Sequence, residues 1–315
     1  MKDRIIRIGK ILISILLMCL LLRNINFEEF KTIITTISIK TVLIAIFIYV
    51  TSVVINAIKW HALLHETRLI FLIFLSFRSQ LYSTILPGQL FGEASKLTLW
   101  KNKGQDMMKV TASIIFDKIT GMIGQVLLAI IGFSFSDIGR EMNSARYFGG
   151  LGLIFVMLVL ISGEKHVALL LTKMISFVRM RQPRLGVKLD DLYSAWRTFS
   201  IDKIVLGKSV FWGMANQFMG IVMIWYVASS MSLTVKIIDF CWIMPMLSFV
   251  LLIPISFAGI GLRDASLSSM LSIYGVIPGK SIVISSMLLL GQIVSSIIGG
   301  LMILCTNIRY KKTDK

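Results

Sequence analysis

The chain has 315 residues, with 33 Lys and Arg against 16 Asp and Glu, a formal net charge of +17, and 56% apolar residues against 16% charged. A soluble domain is about 45–50% apolar and about 25% charged, so an ordinary soluble enzyme is excluded, and a nucleic-acid binder would gather such charge on one soluble domain. The 19 Phe and the long Ile/Leu runs exclude disorder, leaving apolar runs in a bilayer joined by basic loops.

A membrane span needs about 20 mostly apolar residues. Taken in chain order, the segment 5–22 follows Lys2 and Arg4 and resembles a signal peptide, but no small-x-small cleavage site follows it. It is expected to be an uncleaved first span. Further spans are expected at 39–58, 110–135, 147–162, 205–229 and 281–306. Two more apolar regions, 69–99 and 240–274, are broken by Pro, Gly and charged residues. The expected fold class is all-α, a single polytopic transmembrane domain over 1–315 with about six full spans and two broken hairpins.

The segments 1–10, 59–68, 96–109, 163–208 and 307–315 hold 23 of the 33 basic residues, and Lys59 is counted there as a loop residue. That bias places both termini in the cytoplasm of a bacterial-type cytoplasmic membrane. Each broken region then has both ends on one side, so each enters the membrane and returns. The loop 163–204 carries Val187, Leu189, Leu192, Trp196 and Phe199 at helical spacing opposite Lys188, Asp190 and Arg197, with Pro183 and Gly186 as punctuation. Two helices on the cytoplasmic leaflet are expected, their basic side chains against anionic headgroups, the alternative being a solvated helix after a short span extension.

The broken regions share a pattern. The first reads Leu86-Pro87-Gly88-Gln89-Leu90-Phe91-Gly92-Glu93-Ala94-Ser95-Lys96, and the second reads Ile253-Pro254-Ile255-Ser256-Phe257-Ala258-Gly259-Ile260-Gly261-Leu262-Arg263-Asp264-Ala265-Ser266. Entering from opposite sides, they would form an inverted repeat with a site near the membrane midplane, chance likeness among Gly/Pro breaks being the alternative. New helices are expected at 94–100 and 265–273. Their N-termini would attract an anion, helped by Lys96 and Arg263.

Charges inside a membrane cost roughly 2.5–3.5 kcal/mol each on insertion scales and therefore mark paths or sites. They are Arg78, Glu93, Asp117, Lys118, Arg263 and Asp264. Asp117 either pairs with Arg263 or Lys96 as a lock or holds a headgroup, and Lys118 is expected to reach toward the cytoplasm. Asn56, Gln125, Asn216, Gln217 and Gln292 fit interhelical hydrogen bonding. His61 and His65 have metal-compatible spacing without a third ligand, and Cys19, Cys241 and Cys305 give neither a disulfide nor a zinc pattern. No GxxxxGK[ST] run is present. No metal and no cofactor is expected.

Three sets of residues occur in order: Leu86-Pro87-Gly88 with Gly92, Glu93 and Lys96; Ser113, Phe116, Asp117, Lys118 and Gly121; and Pro254 through Asp264. Together they resemble the flippase-like family related to the transmembrane region of lysylphosphatidylglycerol synthase, over roughly residues 5–306. Ala258 stands where that family usually has glycine, Asp264 where it has Glu, and Lys96 where it more often has Arg. The resemblance implies movement of a lipid with a large polar headgroup between leaflets. The chain stops at Lys315 directly after its last span, so the synthase's catalytic domain and its chemistry are not expected.

The leading expectation is a lipid flippase or scramblase for an anionic phospholipid derivative or a lipid-linked saccharide. Arg263 and Lys96 would hold its phosphate, and Glu93, Asp117 and Asp264 would balance charge. Pro87, Gly88, Gly92, Pro254, Gly259 and Gly261 would supply the breaks. The alternatives are an accessory subunit that contacts envelope-biosynthesis enzymes, and a polyprenyl-phosphate-dependent glycosyltransferase with Glu28 and Glu29 as its acids. Membrane lipids with anionic headgroups are the expected partners, and nucleic acid is not.

Overall fold

The computed structural model describes residues 37–85, 89–97, 100, 107–137, 150–154, 156–157, 165–252 and 259–313. The expected first span at 5–22, and Glu28, Glu29, Pro87, Gly88 and Pro254, lie outside them. The described elements are helices: α1 Ile39–His61, α2 Leu69–Ile85, α3 Gln89–Leu97, α4 Met107–Phe135, α5 Lys165–Arg181, α6 Pro183–Ile201, α7 Lys203–Ser230, α8 Ile237–Leu251, α9 Leu262–Ser272 and α10 Pro278–Thr313. Four of them, α1, α4, α7 and α10, are long and apolar enough to cross a membrane, each matching a span read from the sequence. Of the expected span at 147–162 only 150–154 and 156–157 are described, as helix.

Local chemistry sets the helix ends. Ser38 accepts the Thr41 amide at 3.2 Å at the start of α1, and Asp202 accepts the amides of Ile204 and Val205 at 2.9 and 3.1 Å at the start of α7. Pro183 occupies the first turn of α6, where its missing N–H is harmless. Large apolar side chains at Ile39, Leu43 and Phe47 recur every fourth residue on the exposed face of α1. Such a stripe suits lipid, since it would be unfavourable in water.

The two broken regions are two short-helix hairpins. The 17 residues of α2 and 15 of α8 rise only ~22–26 Å at 1.5 Å per residue, short of a hydrocarbon core of about 30 Å. Each is followed by a shorter helix that packs back on it, α3 on α2 and α9 on α8. The helix expected at 94–100 begins earlier, at Gln89, so Glu93 and Lys96 lie in the body and last turn of α3 and not at a helix start. Gly92, expected as a break, instead lies within α3, and its role is packing: a Cβ there would lie 2.6 Å from the Ser79 carbonyl oxygen, so glycine lets α3 close onto α2.

The packing is unchanged when α1–α4 are exchanged for α7–α10. The α2–α10 contact has its counterpart in α8–α4, α1–α10 in α7–α4, α1–α2 in α7–α8, and α3–α4 in α9–α10, while α1 packs on α7. The glycines agree. On α4, a Cβ at Gly124 would lie 2.8 Å from the Met214 amide of α7, and one at Gly132 would lie 2.5 Å from the Trp242 amide of α8. On α10, a Cβ at Gly291 would lie 2.6 Å from the Tyr49 ring of α1, and one at Gly299 would collide with the Phe77 carbonyl of α2. Both pairs are eight residues apart, and Gln125 and Gln292 each follow the first glycine.

Besides a small third cluster of Ile123, Val126 and Val156, two larger apolar clusters fill the bundle. One joins Trp60, Trp100, Val110, Phe116, Phe199 and Leu206; the other joins Leu128, Phe133, Ile224, Phe240, Trp242 and Leu271. Along α4 the first cluster ends at Phe116 and the second begins at Leu128, so the stretch between lies in the middle third of that helix. The loop 163–204 does form two helices meeting at Pro183. Its second helix, α6, packs on α4, with Trp196 and Phe199 at 4.8 and 5.6 Å from the Phe116 ring. Met174, Phe177 and Met180 of α5 remain exposed beside Arg179 and Arg181.

Candidate functional site

Between the two apolar clusters lies a polar cavity of about 140 Å³. Asn56 and Lys59 of α1, Asp117, Lys118 and Gln125 of α4, and Asn216 and Gln217 of α7 border it. Glu93 of α3 and Ser248, Leu251 and the adjoining Leu252 also border it, as do Gly121, Met122 and Gly213.

The cavity is organised by an ion pair. Lys59 Nζ lies 3.2 Å from Asp117 Oδ1 and also donates to the Asp117 backbone carbonyl. Lys59 is 3% exposed and Asp117 6%. Gly121 leaves room for the lysine, since a Cβ there would stand 2.9 Å from Lys59 Nζ, and Gly213 brings α7 close to α4, a Cβ there lying 3.2 Å from the Thr120 carbonyl oxygen. This corrects two expectations. Lys59 is not a loop residue, because its ammonium turns inward to compensate a carboxylate that the bilayer would otherwise isolate. Asp117 pairs with Lys59, and not with Arg263 or Lys96. Lys118, expected to reach toward the cytoplasm, borders the same cavity.

Lys96 is 1% exposed; its Nζ meets Glu93 Oε2 at 2.7 Å and sits 4.7 Å above the Trp60 ring. It therefore holds Glu93, which borders the cavity, and does not itself line it. On the far wall, Gln125 Nε2 donates to Gln217 Oε1 at 3.3 Å, and Gln217 Nε2 donates to Ser248 Oγ at 3.4 Å. These are long hydrogen bonds.

The other predicted charges form a second cluster. Arg263 Nη2 donates to Gln292 Oε1 at 2.9 Å, and Gln292 Nε2 donates to Thr84 Oγ1 at 3.2 Å, which lies 2.8 Å from Ser296 Oγ. Asp264 accepts the Gly261 amide at 2.9 Å, capping α9, and accepts from the Ser285 hydroxyl. Gly259 and Gly261 have φ of +78° and +79°, a region where side-chain-bearing residues are strained. The helix expected at 265–273 starts three residues earlier, at Leu262, so Arg263 and Asp264, expected just ahead of it, stand in its first turn. Neither borders the first cavity. Leu251 relates the two clusters: it borders the cavity, and a Cβ at Gly259 would lie 3.0 Å from its Cδ2 and 3.2 Å from Arg263 Nη2.

Of the charged residues singled out from sequence, Glu93, Asp117 and Lys118 share the cavity, Lys96 supports it from behind, and Arg263 with Asp264 lies in the second cluster. Lys59 is the residue the sequence reading missed. Its signal was the buried acid itself: Asp117 within a span requires a cation, and Lys59 closes the preceding long span. Among the described residues no group of three His, Cys, Asp or Glu side chains is gathered as a metal site.

The sequence model of the family described as the lysylphosphatidylglycerol synthase TM region matches residues 7–300. No curated protein and no solved structure matches the chain.

Proposed function

The chain belongs to the lysylphosphatidylglycerol synthase transmembrane-region family, a family tied to phospholipid handling, and on that premise we propose that it moves lipid headgroups across the cytoplasmic membrane as a flippase or scramblase. The observation that carries this reading is the charge-paired cavity between two apolar clusters, bordered by three helices long enough to span a bilayer. Ionisable groups at such depth are costly unless they serve a path. A headgroup entering the cavity exchanges its hydration for the Lys59–Asp117 pair and the amides, while its acyl chains stay in the bilayer beside the apolar faces of α1 and α10.

The exchangeable packing of the two halves supports alternating access. Gln125 borders the open cavity, whereas its counterpart Gln292 is bonded to Arg263 and Thr84. The same sequence pattern thus has different surroundings in the two halves, a cavity wall for Gln125 and a hydrogen-bonded cluster for Gln292. Rocking the halves would open the Arg263 cluster and close the Lys59 cluster. Both termini and the α5–α6 hairpin face the cytoplasm in this scheme.

Reconstitution in liposomes carrying leaflet-specific labelled lipids tests the reading. Protein-dependent acceleration of lipid exchange is expected, with loss in Asp117→Asn and Arg263→Ala protein of normal yield. No acceleration over empty vesicles for any anionic or lipid-linked headgroup would replace transport with an accessory role in envelope assembly.

A further inference from the structure

The cavity's polar groups narrow the kind of headgroup it takes. Both carboxylates that border it already face a lysine, Asp117 at 3.2 Å from Lys59 and Glu93 at 2.7 Å from Lys96. A phosphate placed there would meet two carboxylates within a small, weakly screened space, and an ammonium would meet Lys59 and Lys118. On the lining itself two lysines stand against two carboxylates, so its charges sum to zero and the uncharged groups decide selectivity.

The uncharged lining points elsewhere. Four carboxamides and the Ser248 hydroxyl offer both donors and acceptors, and the bonds among them, at 3.3 and 3.4 Å, are at the long end of the range. Asp117 Oδ1, in a side chain only 8% exposed, is already paired with the Lys59 ammonium at 3.2 Å, so the carboxamides and Ser248 are the lining groups left to bind a ligand. A hydroxyl group both donates and accepts, and several hydroxyls on adjacent carbons match alternating amide donors and acceptors. At about 140 Å³ the space is well above the ~10–15 Å³ one water needs.

We propose that the cavity selects an uncharged, hydroxyl-rich headgroup portion, glycerol or a sugar ring, so that the lipid is recognised by its polyol and not by its phosphate. This rests on the cavity being the lipid site, and a binding measurement separates it from transport. Detergent-purified protein is titrated by thermal shift with three short-chain lipids: glucosyl diacylglycerol, phosphatidylglycerol and phosphatidylmethanol. The last keeps the phosphate and removes the hydroxyls.

The expected result is stabilisation by at least one of the first two and none by phosphatidylmethanol. Asn216→Ala and Ser248→Ala should each weaken apparent affinity about tenfold; if one variant does not survive purification, the other carries the comparison. Response to glucosyl diacylglycerol alone identifies a glycolipid, and response to phosphatidylglycerol alone a glycerol phospholipid; either supports the polyol. Equal response to phosphatidylmethanol, no response to any of the three, or unchanged affinity in both variants overturns it. Polyol binding without liposome transport would sustain this inference while removing the flippase reading.

Discussion

Lys59 and Asp117 come from helices separated by the whole α2–α3 hairpin, yet their charged groups meet 3.2 Å apart with both side chains almost fully buried. Removing one member leaves an uncompensated charge, which costs about 3–5 kcal/mol for a buried pair, whereas removing both can be nearly neutral. Lys59→Met and Asp117→Asn should therefore each lower the unfolding temperature sharply in detergent. The double variant should recover most of that loss while remaining inactive in lipid exchange. Additive losses in the double variant would show that the two side chains act independently.

The glycine pairs make a second prediction. Gly132→Ala and Gly299→Ala both drive a methyl into the backbone of a neighbouring helix and should destabilise by about 1–3 kcal/mol, to similar extents. Gly207→Ala, where a Cβ would meet nothing within 4 Å, should be neutral or stabilising by up to about 1 kcal/mol, as helix propensity favours alanine. Thermal unfolding of the three purified variants checks the ranking.

Ser248 borders the cavity whereas Ser285 is buried against Asp264, and cysteine labelling tests whether the two sites differ in accessibility. In a background lacking the native cysteines, Ser248→Cys should react with a water-soluble maleimide, because Ser248 borders the cavity. Ser285→Cys should be protected, since Ser285 is 1% exposed and bonded to Asp264. Substrate lipid should shift the ratio toward Ser285→Cys if the halves trade places. Rates for both sites that ignore lipid would argue against that exchange.

The α5–α6 hairpin makes a fourth prediction. Its exposed Met174, Phe177 and Met180 lie among Lys173, Arg179 and Arg181, a composition suited to an anionic leaflet. Replacing Phe177 with Trp should give a blue shift in nanodiscs containing anionic lipid. Charge reversal at Arg179 and Arg181 should weaken the shift, by about 1 kcal/mol of surface attraction per residue. An emission spectrum insensitive to lipid charge would leave this helix in solvent.

Much of the fold was legible because a bilayer makes strict demands. Long apolar runs must be helices, which fixed α1, α4, α7 and α10 in advance, and the sequence breaks at Pro87-Gly88 and Gly259–Gly261 pointed to the two hairpins, whereas Gly92 lies inside α3. The amide pairs were also readable: Gln125 with Gln217, and Gln292 within the opposite bundle, are the interhelical hydrogen bonds anticipated. The partner of Asp117 was not. Lysine at the end of a span reads as an interfacial anchor, and that it turns inward beside Gly121 toward Asp117 depends on the packing of α1 on α4, helices distant in sequence. Lys96 misled for a similar reason. Its charge suggested a ligand contact, but α3 begins one turn earlier than the motif implied, which sets the ammonium over Trp60 and against Glu93.

Under the exchange of halves, the contact between α1 and α7 maps onto itself. If the halves exchange as proposed, it has no equivalent to be swapped for and would serve as the pivot. Lys59, Asn216 and Gln217 belong to these two helices, so these groups would then travel least. A cargo seated there would stay near one depth while the openings on either side change around it.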